Sequence, residues 1–331
     1  MIVTVTPNPS IDRTVTLPGE LTRGAVHRVS SASSEPGGKG VNVARALALA
    51  GVDTVAVLPA AEHDPILAGL QTAGVTVHAV PVAGAVRTNL TVTEPDGTTT
   101  KINEPGAVLT VAEADALARA VTERARSARW VVLSGSLPPG LPPSWYADMV
   151  AILRPYGCKV AVDTSDAPLA ALAADLDRAA PDLLKPNAEE LAGLAGVSAE
   201  ALESALARGD TGPVVRAARR LVDHGVGAVL ATLGAAGAVL VDADGDWLAT
   251  PPPIRPRSTV GAGDSSLAGY VRAESAGAGP PSRLQMAVAY GSGAAALPGS
   301  ALPSPAQINL DDVAVTSVRT TPAERRSEGA P

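Results

Sequence analysis

The residues best suited to chemistry lie in residues 258–266, STVGAGDSS, which run into the apolar stretch LAGYVRA. Gly261-Ala262-Gly263 is a glycine-rich turn opening a helix. Small residues let backbone N–H groups approach a ligand, and a helix N-terminus favours an anion there. Asp264 falls in the first helical turn. A carboxylate beside an anion hole is a poor phosphate ligand but a suitable general base: it can accept a hydroxyl proton while the N–H groups stabilise a transferring phosphoryl group. The same aspartate also reads as a plain helix cap.

Other segments pair a turn with polar side chains. EPGGKGVN, residues 35–42, opens a helix and adds the cation Lys39. It is not a P-loop, because no Lys-Ser or Lys-Thr follows the glycines, and it lacks the GxGxxG of dinucleotide sites; a simple turn is the alternative. In Asn8-Pro9-Ser10-Ile11-Asp12, Asp12 can accept hydrogen bonds from sugar hydroxyls or close an Asx turn. In Lys185-Pro186-Asn187, followed by Glu189 and Glu190, Asn187 and Glu190 can face a hydrated Mg²⁺ or form a capping box. Thr232, Gly234 and Gly237 fit either a phosphate cradle or a tight hairpin. SGSLPPG, residues 134–140, follows a buried strand, at a strand C-terminus, where open α/β sheets place ligands; with no GxSxG elbow, serine nucleophile chemistry is not indicated.

The elements that must position these groups follow from periodicity. Residues 41–50, 65–73, 111–128, 144–153 and 213–223 read as helices, with Gly51 as a C-cap. Residues 53–59, 75–80, 130–134, 159–163 and 228–232 read as strands, and MIVTVTPNPS as an opening strand. Continuously apolar strands alternating with helices indicate a parallel sheet covered on both faces. Residues 11–34 and 86–103 break the rhythm with period-2 alternation. They read as antiparallel excursions forming a small lid over a cleft, the second a hairpin around Pro95-Asp96-Gly97.

Composition narrows the function. Hydrophobic residues make up 46 % of 331, enough for a large core, and with no Phe and 2 % aromatics that core must be Ala, Val and Leu. So few aromatics, a net charge of −7 and no basic block argue against nucleic acid or an anionic membrane as partner. One Cys and four scattered His exclude an intrachain disulfide and match no zinc spacing. The N-terminus lacks signal-peptide features, and the uncharged runs 225–241 and 286–310 are broken by Gly and Pro, so a cytoplasmic protein is expected. Residues 320–331 read as a frayed tail.

Together, glycine turns, one carboxylate, cations and a paired Asn and Glu at strand-to-helix junctions suit phosphoryl transfer from a nucleotide to a hydroxyl. Over about residues 1–310 the chain resembles the PfkB, or ribokinase-like, carbohydrate kinases. EPGGKGVNVA and STVGAGDS look like that family's two signature regions. TPNPSIDRTV, VRTNLTV, LSGSLPPG and LKPNAEEL resemble its phosphosugar branch.

The resemblance implies a ribokinase-like α/β domain over 1–310: a mostly parallel sheet with helices on both faces and a small antiparallel β lid. A C-terminal strand and tail occupy 311–331. It implies Asp264 as catalytic base and the N–H groups of Gly261, Ala262 and Gly263 as anion hole. Asp12, Gly38, Lys39 and Asn42 hold the sugar. Arg87 grips the substrate phosphate, assisted by Lys39, Ser136 and Arg28. Lys185, Asn187, Thr232, Gly234, Gly237 and Gly263 serve ATP, and Asn187 and Glu190 serve Mg²⁺ through water. Ser258 and Val260 are candidate K⁺ ligands, although Leu297 and Ala301 replace polar residues of some relatives. A homodimer through the lid sheets is the expected assembly. A phosphosugar requires a cation beside its dianion, and a bidentate Arg suits that geometry.

Overall fold

Apolar runs such as WVVLS and KVAVD need cover on both faces, and the computed structural model, which describes residues 1–318, gives it to them. In chain order the strands are β1 (Ile2–Val5), β2 (Ser10–Thr16), β3 (Ser31–Gly37), β4 (Thr54–Ala60), β5 (Thr76–Pro81), β6 (Arg87–Thr93), β7 (Thr99–Asn103), β8 (Trp130–Ser134), β9 (Lys159–Asp163), β10 (Leu183–Leu184), β11 (Ala228–Thr232), β12 (Ala238–Asp242), β13 (Asp246–Thr250) and β14 (Ala314–Ser317). The helices are α1 (Lys39–Leu49), α2 (Pro65–Thr72), α3 (Val111–Ala125), α4 (Trp145–Leu153), α5 (Asp166–Ala173), α6 (Leu176–Ala179), α7 (Ala188–Ala195), α8 (Ala199–Ala207), α9 (Gly212–Asp223), α10 (Ala262–Ser275) and α11 (Pro280–Ala295).

The large sheet has ten strands in the order β14-β13-β12-β11-β10-β9-β8-β1-β4-β5. From β11 to β5 every pairing is parallel; β12, β13 and β14 extend one edge antiparallel. Alternate side chains build two cores. Val3, Val5, Val131, Leu133, Val160 and Val162 face α3, α4 and α9, whereas Ile2, Trp130, Val132, Ala161 and Leu230 face α1, α10 and α11. With no Phe available, the largest fully buried side chains are Trp130, Tyr146 and Tyr290. Trp130 stays buried because its indole N–H donates to Glu274 at 2.6 Å, and that carboxylate is held by Lys159 at 2.7 Å.

Local sequence explains the helix ends. Thr110 and Glu113 form a reciprocal capping box on α3, which stops at Ala125, short of the expected 128. Helix α1 stops at Leu49, and Gly51 follows its cap residue with φ 70°. Helix α9 buries Val214, Val215, Ala218 and Leu221, one face of a 3.6-residue period.

The two excursions make a four-stranded sheet in the order β3-β2-β6-β7. Each excursion is an antiparallel pair of strands, as expected, the second being the expected hairpin, and the two join through a parallel pairing that sets Asp12 opposite Asn89. The loop 17–30 separates β2 from β3. Strand β14 lies in the expected C-terminal segment, while the tail at 320–331 lies outside the described residues. Among the described residues no helix is long and apolar enough to cross a membrane.

Candidate active site

The C-terminal ends of β1, β8, β9 and β11 and the N-termini of α1, α7 and α10 come together, and Arg87 of the small sheet reaches them through Ser136. Gly261 occupies the cap position of α10 with φ 75°, a left-handed conformation suited to glycine, and no side chain caps the helix. Asp264 is therefore not a cap. It is buried and turns towards α1, where its Oδ2 accepts the Asn42 side-chain N–H at 2.9 Å. The first backbone N–H groups of α10 have no intrahelical partner, although that of Ala262 already makes a 3.4 Å turn bond to the Thr259 carbonyl.

Beside Asp264 lies a second acid that sequence reasoning did not single out. Asp163 closes β9, is fully buried, and bridges two lysines: Lys39 Nζ stands 2.7 Å from Oδ1 and Lys185 Nζ 3.0 Å from Oδ2. Its signal was a carboxylate ending a mostly apolar strand, at the carboxyl end of the sheet where ligands bind. Burial alone would raise Asp163, but the attraction and hydrogen bonds of Lys185 and Lys39 hold it below the ordinary carboxylate range. Burial opposes the Lys39 charge as well, and Asp163 overrides it, keeping the ammonium raised. Asp264 has no such private partner. Burial, then repulsion from Asp163, lift it from 3.8 to about 6, against the pull of Lys39, Asn42 and Lys185. One carboxylate is locked as a charge and its neighbour is poised to exchange a proton, the pattern of an acid/base site.

The lid side supplies polar groups. Asp12 lies inside β2 and forms no Asx turn; its Oδ1 accepts from Ser10 Oγ at 2.7 Å and from Asn89 Nδ2 at 3.0 Å. Gly37 makes room for it, since a Cβ there would lie 2.2–2.4 Å from the Asp12 carboxylate atoms. Arg87 opens β6. Its Nη1 donates to the Glu104 carbonyl at 3.0 Å and its Nη2 to Ser136 Oγ at 3.4 Å, and Ser136 also accepts from Asn8 Nδ2 at 3.2 Å. Burial lowers the guanidinium from its ordinary value, with Asp12 and Glu104 opposing. Asn8, Ser10 and Asn89 belong to motifs recognised in the sequence, but their contacts are made across 77 residues or more, or within a strand, and only the fold reveals them.

Among the residues expected to serve ATP, Asn187 and Thr232 form a parallel bridge, which joins the two loops expected to meet phosphates. Asn187 and Glu190 make the capping box on α7, with reciprocal 2.8 Å bonds. Gly234 to Gly237 close the β11–β12 hairpin. In both cases the local structural alternative is present, in a loop at the edge of the cleft. A Cβ at Gly263 would stand 3.2 Å from Lys185 Nζ, so glycine keeps space beside that cation. Gly38 enters α1 with φ 104°. Ser258 is fastened by its N–H to the Ala295 carbonyl, with Val260 N–H on its hydroxyl at 3.2 Å. Arg28 stands exposed on the 17–30 loop and makes no hydrogen bond or ion pair to these residues.

The donor set fits a phosphorylated ligand and a nucleotide. Asn42 Oδ1, Asn89 Oδ1 and Arg87 Nε are buried and have no protein partner, although buried polar groups are normally satisfied. Among the described residues no group of three or more His, Cys, Asp and Glu gathers to cage a metal; the acids present suit hydrated Mg²⁺ carried largely by phosphates.

The pfkB family carbohydrate kinase profile matches residues 6–307. The 1-phosphofructokinase of Rhodobacter capsulatus is 39 % identical over 325 residues, covering 97 % of this chain and 98 % of that protein. The 1-phosphofructokinase of Escherichia coli (strain K12) is 34 % identical over 278 residues, 82 % of this chain and 83 % of that protein. Among solved structures, phosphofructokinase-2 from Escherichia coli in complex with potassium superimposes with a TM-score of 0.83 at 31 % identity, covering 92 % of this chain and 96 % of that one.

Proposed function

The chain belongs to the pfkB family of carbohydrate kinases, and from that premise we propose that it transfers the γ-phosphoryl group of ATP to the C6 hydroxyl of D-fructose 1-phosphate, giving D-fructose 1,6-bisphosphate and ADP. The observation that carries the choice of a phosphorylated acceptor is the Arg87–Ser136–Asn8 cluster at the base of the lid. A neutral sugar would leave a buried guanidinium nitrogen there without purpose; a phosphate dianion supplies its acceptor. The relatives at 39 % and 34 % identity are both 1-phosphofructokinases, which supports the position of the phosphate.

Asp12, Gly38, Lys39 and Asn42 hold the sugar, and Asp264 accepts the proton of the acceptor hydroxyl as its oxygen attacks the γ-phosphorus. The α10 N-terminus, through Gly261, Ala262 and Gly263, receives the developing charge on the transferring group. Lys185, Asn187, Thr232, Gly234 and Gly237 line the polyphosphate side. Mg²⁺ bound there would neutralise phosphate charge, with Asn187 and Glu190 beside its water shell. Carbonyls of Ser258 and Val260 are the K⁺ candidates. The setting that supplies ATP and hexose phosphates is the cytoplasm.

Two copies joined through their lids would cover Leu21, Val26, Val29 and Ile102, all exposed apolar side chains of the lid and its loop. In that arrangement Arg28 stands on the joining loop.

A coupled ADP-release assay across fructose 1-phosphate, fructose 6-phosphate, tagatose 6-phosphate, fructose, ribose and adenosine tests the reading. Preference for fructose 1-phosphate is expected. A preference for either 6-phosphate would move the enzyme to another acceptor within the phosphosugar branch, as the likeness to phosphofructokinase-2 allows. Turnover of ribose or adenosine alone would refute phosphate recognition. ADP release from none of them, with measurable hexose phosphate binding, would make the protein a sensor.

A further inference from the structure

Helix α2 contributes no side chain to the groups described above, yet both lid excursions are tied to it. The Asp64 side chain at its N-terminus is buried, and its two oxygens serve different segments. Oδ1 accepts the Ile66 N–H at 3.0 Å, capping α2, and Oδ2 accepts the Val86 N–H at 2.8 Å. Val86 directly precedes Arg87, the first residue of β6. Val86 also packs, together with Ile11 of the other excursion, on the cluster of Ile66, Leu70 and Val41. Further along α2, Gly69 lies against Pro36 of β3; a Cβ at 69 would stand 2.6 Å from the proline Cγ. The helix is fastened where the second excursion leaves the large sheet and touches the first where it returns.

Capping α2 needs only one oxygen, and Ser or Asn would serve as well as Asp. The second oxygen is explained by Val86. We propose that Asp64 is a positioning residue for Arg87: it anchors the backbone one residue before the guanidinium to a helix packed on the main domain. Arg87 is then aimed at the phosphate pocket before substrate arrives. Without that bond the hinge at 86 samples other conformations, and part of the binding energy of the phosphate goes into ordering it.

This inference rests on the reading of Arg87 as the group that grips a substrate phosphate, and the test separates the two. Asp64→Ser keeps an oxygen for the Ile66 N–H and has none for Val86. Asp64→Asn keeps the side-chain shape and turns an N–H donor on Val86. Both are expected to raise KM for the hexose phosphate roughly tenfold. KM for ATP should stay unchanged, kcat should stay within about twofold, and the loss of Tm should be smaller than that of Asp64→Ala. In an Arg87→Ala background neither should add a further change in KM, because the two act as one unit. Unchanged KM in both variants, equal rises for the two substrates, or additivity with Arg87→Ala would overturn the proposal. If Arg87→Ala itself leaves KM unchanged in an active enzyme, the reading of Arg87 fails first, and this inference with it.

Discussion

Replacing Asp264 by Asn should make the protein more stable while removing its activity. The carboxyl titrates at about 6 in the folded chain against 3.8 as its ordinary value, because it is buried and lies beside the Asp163 charge. At about 1.4 kcal/mol per unit, folding with Asp264 ionised costs roughly 3 kcal/mol at pH 7.5 as an upper bound. The sign follows from the direction of the shift. Because the folded value is the higher one, the folded state is favoured by protonation: the advantage is complete below pH 4 and is lost as the pH rises through about 6. The D264N side chain is neutral at every pH and its carbonyl can still accept from Asn42. Its advantage over the parent is therefore largest above pH 6 and vanishes below pH 4. For a chain of this length the gain corresponds to a Tm increase of roughly 3–6 °C at pH 7.5. Turnover should fall by about 10²–10⁴-fold, the usual worth of a positioned general base, with ATP binding intact. Thermal melts of both proteins from pH 4 to 8, with ADP release at pH 7.5, check all of this. A D264N protein that melts below the parent at pH 7.5 would refute the electrostatic account. Near-normal turnover would remove Asp264 from the base role.

The same electrostatics predicts that kcat/KM of the parent falls on the acid side with a midpoint near pH 6, and that Asp163→Asn moves this limb to lower pH. Removing the like charge and releasing Lys39 and Lys185 to attract Asp264 act in the same direction, so an upward shift in the pH–rate profile would contradict the assignment. Asp163→Asn also leaves the 5 %-exposed Lys185 without its counter-ion, and a loss of roughly 3 kcal/mol in urea titration is expected. Gly37→Ala places a methyl group 2.2–2.4 Å from the Asp12 carboxylate; steady-state kinetics should show KM for the sugar phosphate raised at least about tenfold, with that for ATP unmoved. Arg87→Ala should raise KM for a hexose phosphate by about one to two orders of magnitude, the loss of charge-assisted bonds, while any residual activity on an unphosphorylated hexose stays level. A uniform loss on both would show that Arg87 holds the fold rather than a phosphate.

The apolar pattern located β1, β4, β5, β8, β9 and β11 but not β10 or β13. WVVLS, KVAVD and AVLAT appear as β8, β9 and β11 with the expected bounds, because a strand buried on both faces tolerates almost nothing but apolar residues. The glycine-rich turn before Asp264, the helix opening at GGKG and the hairpin of residues 86–103 were equally readable. Turn chemistry and helix initiation depend on neighbours within a few residues. Where a local and a ligand-binding explanation competed, the structure removed the local one at Asp264 and Asp12, and at the α7 cap it kept both. Asn187 and Glu190 do cap their helix, yet that cap sits on the loop bridged to Thr232.

What no local pattern contains is which charges meet. Asp163 and Lys39 are 124 residues apart, and Asn42 and Asp264 are 222 apart. Their pairing follows from a strand order that sets β9 beside β8 and lays α1 against α10. The sequence by itself determined the parallel sheet, the lid and the residue types able to transfer a phosphoryl group, because hydrophobic period and turn preference act over short range. Only the tertiary structure decided that Asp163 is held as a fixed charge while Asp264 can trade a proton, because a pKa is set by desolvation and by charges a few ångströms away in space, wherever they fall along the chain.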